Sequence, residues 1–281
     1  MTEGPLRVEI DEPGIATLTL NRPARRNALS GDLLGEAHRA LDRLAAMADM
    51  RVLIVTGAGD AFCSGADVKG GGELSPDVLA GSPAGDLLPS VTNTTVRTFM
   101  AQEHMASLFE KVHRLRLPVI AAVNGPAVGG GFALSLACDI RIASTEAHFG
   151  AIFIARGVSA CDMGTSYFLP RLVGASRAAE LMLTGRVFDA AEAERMGLLA
   201  EVVAPDRLLE RAREKARLIA ANSPLAVWMT KETMWQTIDA PSLRYALDLE
   251  NRTQIMCTAT GELDEAFAAF REKRPPQWQG L

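Results

Sequence analysis

Residues 118–140 form an almost unbroken apolar run long enough to cross a bilayer, and the residues that interrupt it decide what the chain can fold into. In lipid, Asn124, Pro126 and the triplet Gly129-Gly130-Gly131 would leave backbone N–H and C=O groups unpaired, at several kcal/mol each. The run is therefore read as a buried strand over 119–123, a loop, a buried helix over 132–138 and another strand over 140–142. A strand, strand, helix, strand order also opens the chain, and its return here suggests an α/β fold with repeated units. The expectation is a soluble α/β protein with no membrane association.

The rest of the chain agrees. Leu6, Val8 and Ile10 alternate, Glu12-Pro13-Gly14 marks a turn, and Ala16, Leu18 and Leu20 alternate again, which predicts a β-hairpin. Ser30 is placed to cap a helix carrying Leu33, Leu34, Ala37, Leu41 and Leu44 at helical spacing. Residues 52–55 read as a buried strand and 97–115 as a helix. From Ser166 onward the reading is helical except for a last strand over 198–203, with Asp189 and Ser223 as N-caps and Gly174, Gly185 and Gly197 as stops. Residues 242–271 read as two amphipathic helices ending before Pro275-Pro276. The expected division is an α/β core over 1–200 and a helical region over 201–281. Between Lys69 and Val96 the pattern gives way to glycine, proline, serine and threonine, the composition of a functional or disordered loop.

Composition narrows the function. The net charge is −5, whereas a nucleic-acid protein normally carries a basic surplus. Four cysteines without a CxxC pair suggest neither a zinc site nor a disulfide framework, and MTEGPLRVEI is not read as a signal peptide, so the expected location is the cytoplasm.

Two glycine-rich segments follow buried strands. In Gly57-Ala58-Gly59-Asp60-Ala61-Phe62-Cys63-Ser64-Gly65-Ala66-Asp67, Phe62 stands where a dinucleotide fingerprint needs its third glycine. The segment is either an ordinary turn or a loop presenting free N–H groups around Ser64, Gly65 and Ala66. In the second, Gly129-Gly130-Gly131 opens the buried helix, whose first N–H groups lack intrahelical partners and lie at its positive end. That arrangement suits an anion or a developing oxyanion; the alternative is that the glycines only permit tight helix–sheet packing.

Taken in order, NRPARRNALS (21–30), GAGDAFCSGADVK (57–69), PVIAAVNGPAVGGGFALSLACDIRIAS (118–144) and LPRLVG (169–174) resemble the enoyl-CoA hydratase/isomerase, or crotonase, superfamily. RMGLLAEVV (195–203) and AFAAFREKRPP (266–276) carry the resemblance towards the C-terminal end. It implies a spiral of ββα units with a helical C-terminal part that makes trimers, often paired into hexamers. It also implies an acyl-CoA substrate whose thioester carbonyl sits between the N–H groups of Ala66 and Gly130. No separate cofactor is implied, because coenzyme A is part of the substrate. Ala66-Asp67-Val68-Lys69 would run along the CoA, with Ala28, Ser64, Gly65, Gly129, Ala133 and Phe153 as further lining. Arg25 and Arg26 would meet its phosphates and Lys273 a neighbouring subunit's ligand, unless these three are ordinary solvated charges.

The departures are as informative. Hydratases of this family carry two glutamates where this chain has Ala133 and Phe153, and neither side chain can move a proton. Asp162, eight residues before Pro170, resembles the aspartate of dienoyl-CoA isomerases, and its DxxTSY setting is similar to aryl-CoA dehalogenases; it is either the proton carrier or a helix N-cap. Glu103 and His104, on the 97–115 helix, are the alternative acid/base groups. The expectation is an acyl-CoA enzyme that forms a thioester enolate and shifts a double bond. The alternatives are a hydratase with displaced acid/base residues, a dehalogenase-like enzyme, and a CoA-thioester binding protein without catalysis.

Overall fold

A computed structural model describes residues 4–67 and 90–280. The predicted hairpin is β1 (Leu6–Glu12) and β2 (Ile15–Leu20), turning on Gly14 with φ 78°. Helix α1 (Gly31–Ala46) follows, its Ser30 side chain accepting from the Leu33 N–H, and then β3 (Val52–Gly57). Helix α2 (Thr94–Arg114) starts three residues before the expected position because Asn93 caps it. Strand β4 (Val119–Val123), the short β5 (Ala127–Val128), helix α3 (Gly130–Ala137) and strand β6 (Ile140–Ser144) account for the apolar run.

The remaining order is β7 (His148–Gly150), α4 (Thr165–Val173), α5 (Ala175–Thr184), β8 (Phe188–Asp189), α6 (Ala190–Arg195) and β9 (Glu201–Val203). Helices α7 (Leu208–Ala220), α8 (Pro224–Thr237), α9 (Leu243–Thr258) and α10 (Glu262–Glu272) complete the chain.

The main sheet has the order β1-β2-β3-β4-β6-β9, parallel from β2 onward. One face packs on α1, α2 and α3. The other buries Ile15, Val52, Ile54, Ile120, Ala122 and Ile142 against Leu208, Ala212 and Ala216 of α7. Burial on both faces explains why these strands lack a polar side. A second sheet, β5-β7-β8, takes one strand each from the β4–β5 and β6–β7 pairs, so successive units contribute to both sheets.

Two expectations are corrected. The reading from Ser166 onward, helical apart from one last strand, missed β8, and β5 and β7 earlier in the chain were not expected either, so the whole second sheet is new; strands of two or three residues are too short to show a period. The last strand begins at Glu201, not 198, because the Leu198 N–H closes onto the Ala193 carbonyl beyond α6.

Helix α8 is pinned to the sheet by a buried polar cluster. Lys231 Nζ reaches Asp139 Oδ2 at 2.7 Å and donates to the Leu117 carbonyl at 2.9 Å. The same carboxylate accepts from the Val119 N–H at 2.8 Å and from Trp235 Nε1 at 3.1 Å. Among the described residues no helix is long and apolar enough to cross a membrane.

Candidate active site

The two glycine-rich loops leave the C-terminal ends of neighbouring parallel strands β3 and β4, where open α/β sheets keep their sites. They are stitched together by main chain: the Phe62 and Cys63 N–H groups both donate to the Pro126 carbonyl at 3.1 Å, and the Val128 N–H donates to the Cys63 carbonyl at 3.1 Å. Two asparagines hold the outer turns. Asn124 accepts from the Gly57 N–H and donates to the Gly59 carbonyl. Asn27 is fully buried in the left-handed region (φ 55°), which asparagine tolerates better than most residues. Its amide donates to the carbonyls of Ala58 (2.9 Å) and Ala61 (2.7 Å), and its oxygen accepts from the Arg22 N–H.

This close approach demands glycine at two positions in particular. A Cβ on Gly131 would lie 2.0 Å from the Cys63 carbonyl oxygen. A Cβ on Gly65, at φ 84°, would lie 3.0 Å from the Gly130 nitrogen, so residues 65 and 130 are immediate neighbours.

Around that contact two main-chain donors are open. Leu29 donates to the Gly65 carbonyl and accepts from the Asp67 N–H, pairing it with Ala66 as in a parallel ladder. In such a ladder the N–H of the central residue points away from the partner. Gly130 is the first residue of α3, so its N–H has no intrahelical acceptor. Among the described residues no backbone carbonyl takes either N–H. The helix is buried throughout, and its far end is closed by buried Arg141, which donates to the Ser135 and Cys138 carbonyls. The open positive end and closed negative end together favour negative charge at Gly130.

The walls are apolar. Ala133 is fully buried, and the Phe153 ring comes within 3.9 Å of the position a Gly129 Cβ would take. Burial pushes the Cys63 thiol up to about 12, so it stays protonated and is no nucleophile. Asp67 is held by Arg22, whose guanidinium lies 2.7 Å from its carboxylate and also donates to the Ala28 carbonyl. Ser64 Oγ donates to the Arg25 carbonyl at 3.4 Å, while the Arg25 and Arg26 side chains are exposed on the rim.

Asp162 approaches from the other side, and it is not the cap of α4. That position is Gly164, with no side-chain cap. Instead residues 162–165 form a tight turn closed by the Thr165 N–H on the Asp162 carbonyl at 2.8 Å. Both central residues are left-handed, Met163 at φ 48° and Gly164 at φ 82°, the pattern of a type I′ turn. Such a conformation at a methionine costs about 1–3 kcal/mol, and residues of this kind cluster at functional sites. A Cβ on Gly130 would lie 3.1 Å from Met163 Sδ, so the turn abuts the glycine corner. Asp162 Oδ1 accepts from the Met163 N–H at 2.7 Å and from Gln102 Nε2 on α2 at 2.6 Å. Burial raises the Asp162 pKa, and these two hydrogen bonds draw it partly back.

The other acid/base candidates point elsewhere. Glu103 is exposed. His104 is stacked on His38 of α1, centroids 4.7 Å apart, and burial lowers both pKa values, that of His38 to about 4. Both rings are therefore neutral near pH 7. No group of three or more His, Cys, Asp or Glu side chains among the described residues is arranged to hold a metal ion.

Over residues 11–281 the chain matches the family model described as enoyl-CoA hydratase/isomerase. The chain belongs to the enoyl-CoA hydratase/isomerase family. A Mycobacterium leprae (strain TN) protein named a probable enoyl-CoA hydratase is 41% identical over 271 residues, covering 95% of this chain and 87% of that protein. A crystal structure of a probable enoyl-CoA hydratase/isomerase from Mycobacterium abscessus has a TM-score of 0.86 and 39% identity, with 98% of both chains covered. A monofunctional enoyl CoA isomerase from M. smegmatis has a TM-score of 0.69 and 37% identity, covering 86% of this chain and 98% of that one. The α/β architecture is thus the crotonase fold, and the protein is an enzyme of this family.

In this hydratase/isomerase family member the sequence-predicted residues Ala28, Ser64, Gly65, Ala66, Asp67, Gly129, Gly130, Ala133 and Phe153 gather at the glycine corner, with Asp162 at its edge. Lys273 is exposed at the end of α10, and Val68 and Lys69 lie outside the described residues. Sequence reasoning missed Arg22 and Asn27, although both lie in the NRPARRNALS segment. It also missed Gln102, for which no local signal exists.

Proposed function

We propose that the enzyme isomerises the double bond of an enoyl-CoA thioester, with the Ala66 and Gly130 N–H groups as oxyanion hole and Asp162 as the proton carrier. The observation that carries this reading is the pairing of two open main-chain donors with one half-buried carboxylate, while both hydratase glutamate positions hold the buried, proton-inert Ala133 and Phe153. On a 3-enoyl thioester, Asp162 takes the α-proton and the C–H electron pair moves into a dienolate. The negative charge rests on the thioester oxygen between the two N–H groups. Removing one such donor typically costs about 3 kcal/mol of barrier. The same carboxyl group returns its proton to the γ-carbon and the double bond moves into conjugation. Atoms balance without water or any co-reactant. The raised pKa helps, because a more basic carboxylate is a better match for a weak carbon acid.

The test is conversion of 3-enoyl-CoA to the conjugated 2-enoyl-CoA by wild type and Asp162→Asn. The variant keeps shape and an accepting oxygen but cannot carry the proton, so turnover falls about a hundred- to ten-thousandfold with acyl-CoA affinity retained. Unchanged turnover overturns the role of Asp162; brisk hydration of crotonyl-CoA by the wild type overturns the isomerase reading.

We further infer a trimer, or a pair of trimers. The support is the apolar surface of the last two helices, where Leu243 is 75%, Ile255 70% and Phe270 84% exposed in the single chain. Sedimentation at micromolar concentration checks it, and a monomer overturns it.

A further inference from the structure

We propose that Gln102 is a positioning residue, fixing the Asp162 carboxylate so that one oxygen is held and the other faces the acyl chain. This rests on Asp162 being the proton carrier. The two donors to Oδ1 come from different elements, the Met163 N–H from the turn and Gln102 Nε2 from α2. A carboxylate torsion is broad and nearly two-fold, so the turn's N–H alone would let the two oxygens exchange. A second donor at 2.6 Å on the same oxygen removes that freedom. Among the described residues nothing donates to Oδ2.

The chemistry of an amide suits this task. A lysine or arginine in the same place would also orient the carboxylate, but would hold it firmly ionised and weaken it as a base. A glutamine orients without adding charge and does not titrate, so the geometry stays constant across the pH range in which Asp162 works. No charged side chain contributes to the Asp162 shift among the described residues; its causes are burial and the two hydrogen bonds.

Gln102 is itself well anchored. Its neighbours Ala101 and Met105 are buried in the core, and α2 is tied to α1 by the Lys111–Asp42 pair (2.8 Å) and the His38–His104 stack. Positions 102 and 104 lie about 200° apart around a helix. Hence when His104 faces α1, Gln102 is turned towards the Asp162 turn.

The experiment uses the whole 281-residue chain with a 3-enoyl-CoA. Gln102→Leu removes the donor: kcat falls about ten- to a hundredfold, KM stays nearly constant, and the acid limb of the kcat/KM profile moves to higher pH because the carboxylate has lost a hydrogen bond. Gln102→Glu keeps the side-chain length but sets a second carboxylate beside the first, moving the limb further up. Adding Gln102→Leu to Asp162→Asn costs nothing more, since a positioning residue has then nothing to position. A wild-type kcat and acid limb in Gln102→Leu, with Asp162→Asn inactive, overturns the proposal and leaves the proton carrier standing. A fully active Asp162→Asn removes the proton-carrier reading and the proposal together. If both Gln102 variants fail to fold, the residue is structural and the proposal fails.

Discussion

The glycine corner and the Asp162 turn touch where Met163 packs on Gly130, yet they are built by opposite means. In the corner the donors are main chain, and their places are set by carbonyls, buried asparagines and the absence of a Cβ. In the turn the acting group is a side chain, set by a left-handed methionine and a glutamine sixty positions away in sequence. Main-chain donors keep their chemistry under most side-chain changes, so a corner that acts as the proposed oxyanion hole would serve any reaction that passes through a thioester enolate. On the proposed reading the proton carrier is that one side chain, so a single substitution can remove it and change which reaction follows.

Adding the same single carbon to each region should affect the two very differently. Gly131→Ala forces a Cβ to 2.0 Å from the Cys63 carbonyl oxygen, where backbone on both sides cannot give way. The expected loss exceeds about 4 kcal/mol, seen as a collapse of the urea midpoint or of soluble yield. Gly164→Ala meets the Phe168 ring at 2.7 Å and a φ of 82°, but a ring can shift. That variant should fold with a penalty of about 1–2 kcal/mol, and lose turnover because the Asp162 turn is re-aimed. Equal stability losses would erase the distinction between the regions.

The smallest effect probes the α1–α2 seam that anchors Gln102. His38 has a folded pKa of about 4 against 6.5 ordinarily, lowered by burial first and by His104 and Lys111 next. The unfolded chain therefore takes up the proton first, and stability falls as pH drops from 6.5 towards 4, levelling off below. Melting temperatures over that window should decline for the wild type and decline less for His38→Gln.

The same contrast explains what the sequence made legible. The caps Ser30, Asp189 and Ser223, the hairpin turn at Gly14 and the buried strands are encoded within a few residues, and each was found where expected. The glycine corner was legible because close backbone approach leaves a glycine wherever it occurs. The second sheet was not, since strands β5, β7 and β8 have only two or three residues each. Asp162 was visible as a residue but not as a turn, because a left-handed methionine has no sequence signature. Of Gln102, Glu103 and His104, the two titratable residues drew attention, while the neutral one makes the contact, a choice that only helix rotation decides.

Asp139 limits how such a chain can drift. Its carboxylate serves Lys231, Trp235 and the Val119 N–H at once, and the ion pair is only 8% and 10% exposed. Losing either charge alone strands the other inside, at about 3–5 kcal/mol, and replacing both by apolar residues would still leave the Val119 N–H, the Trp235 indole N–H and the Leu117 carbonyl without these partners. Neither residue can change alone, and the two cannot change together, without a loss of stability. Lys231 and Asp139 are thus one unit with the indole and the two main-chain groups they serve, and what has to be replaced together is that whole cluster.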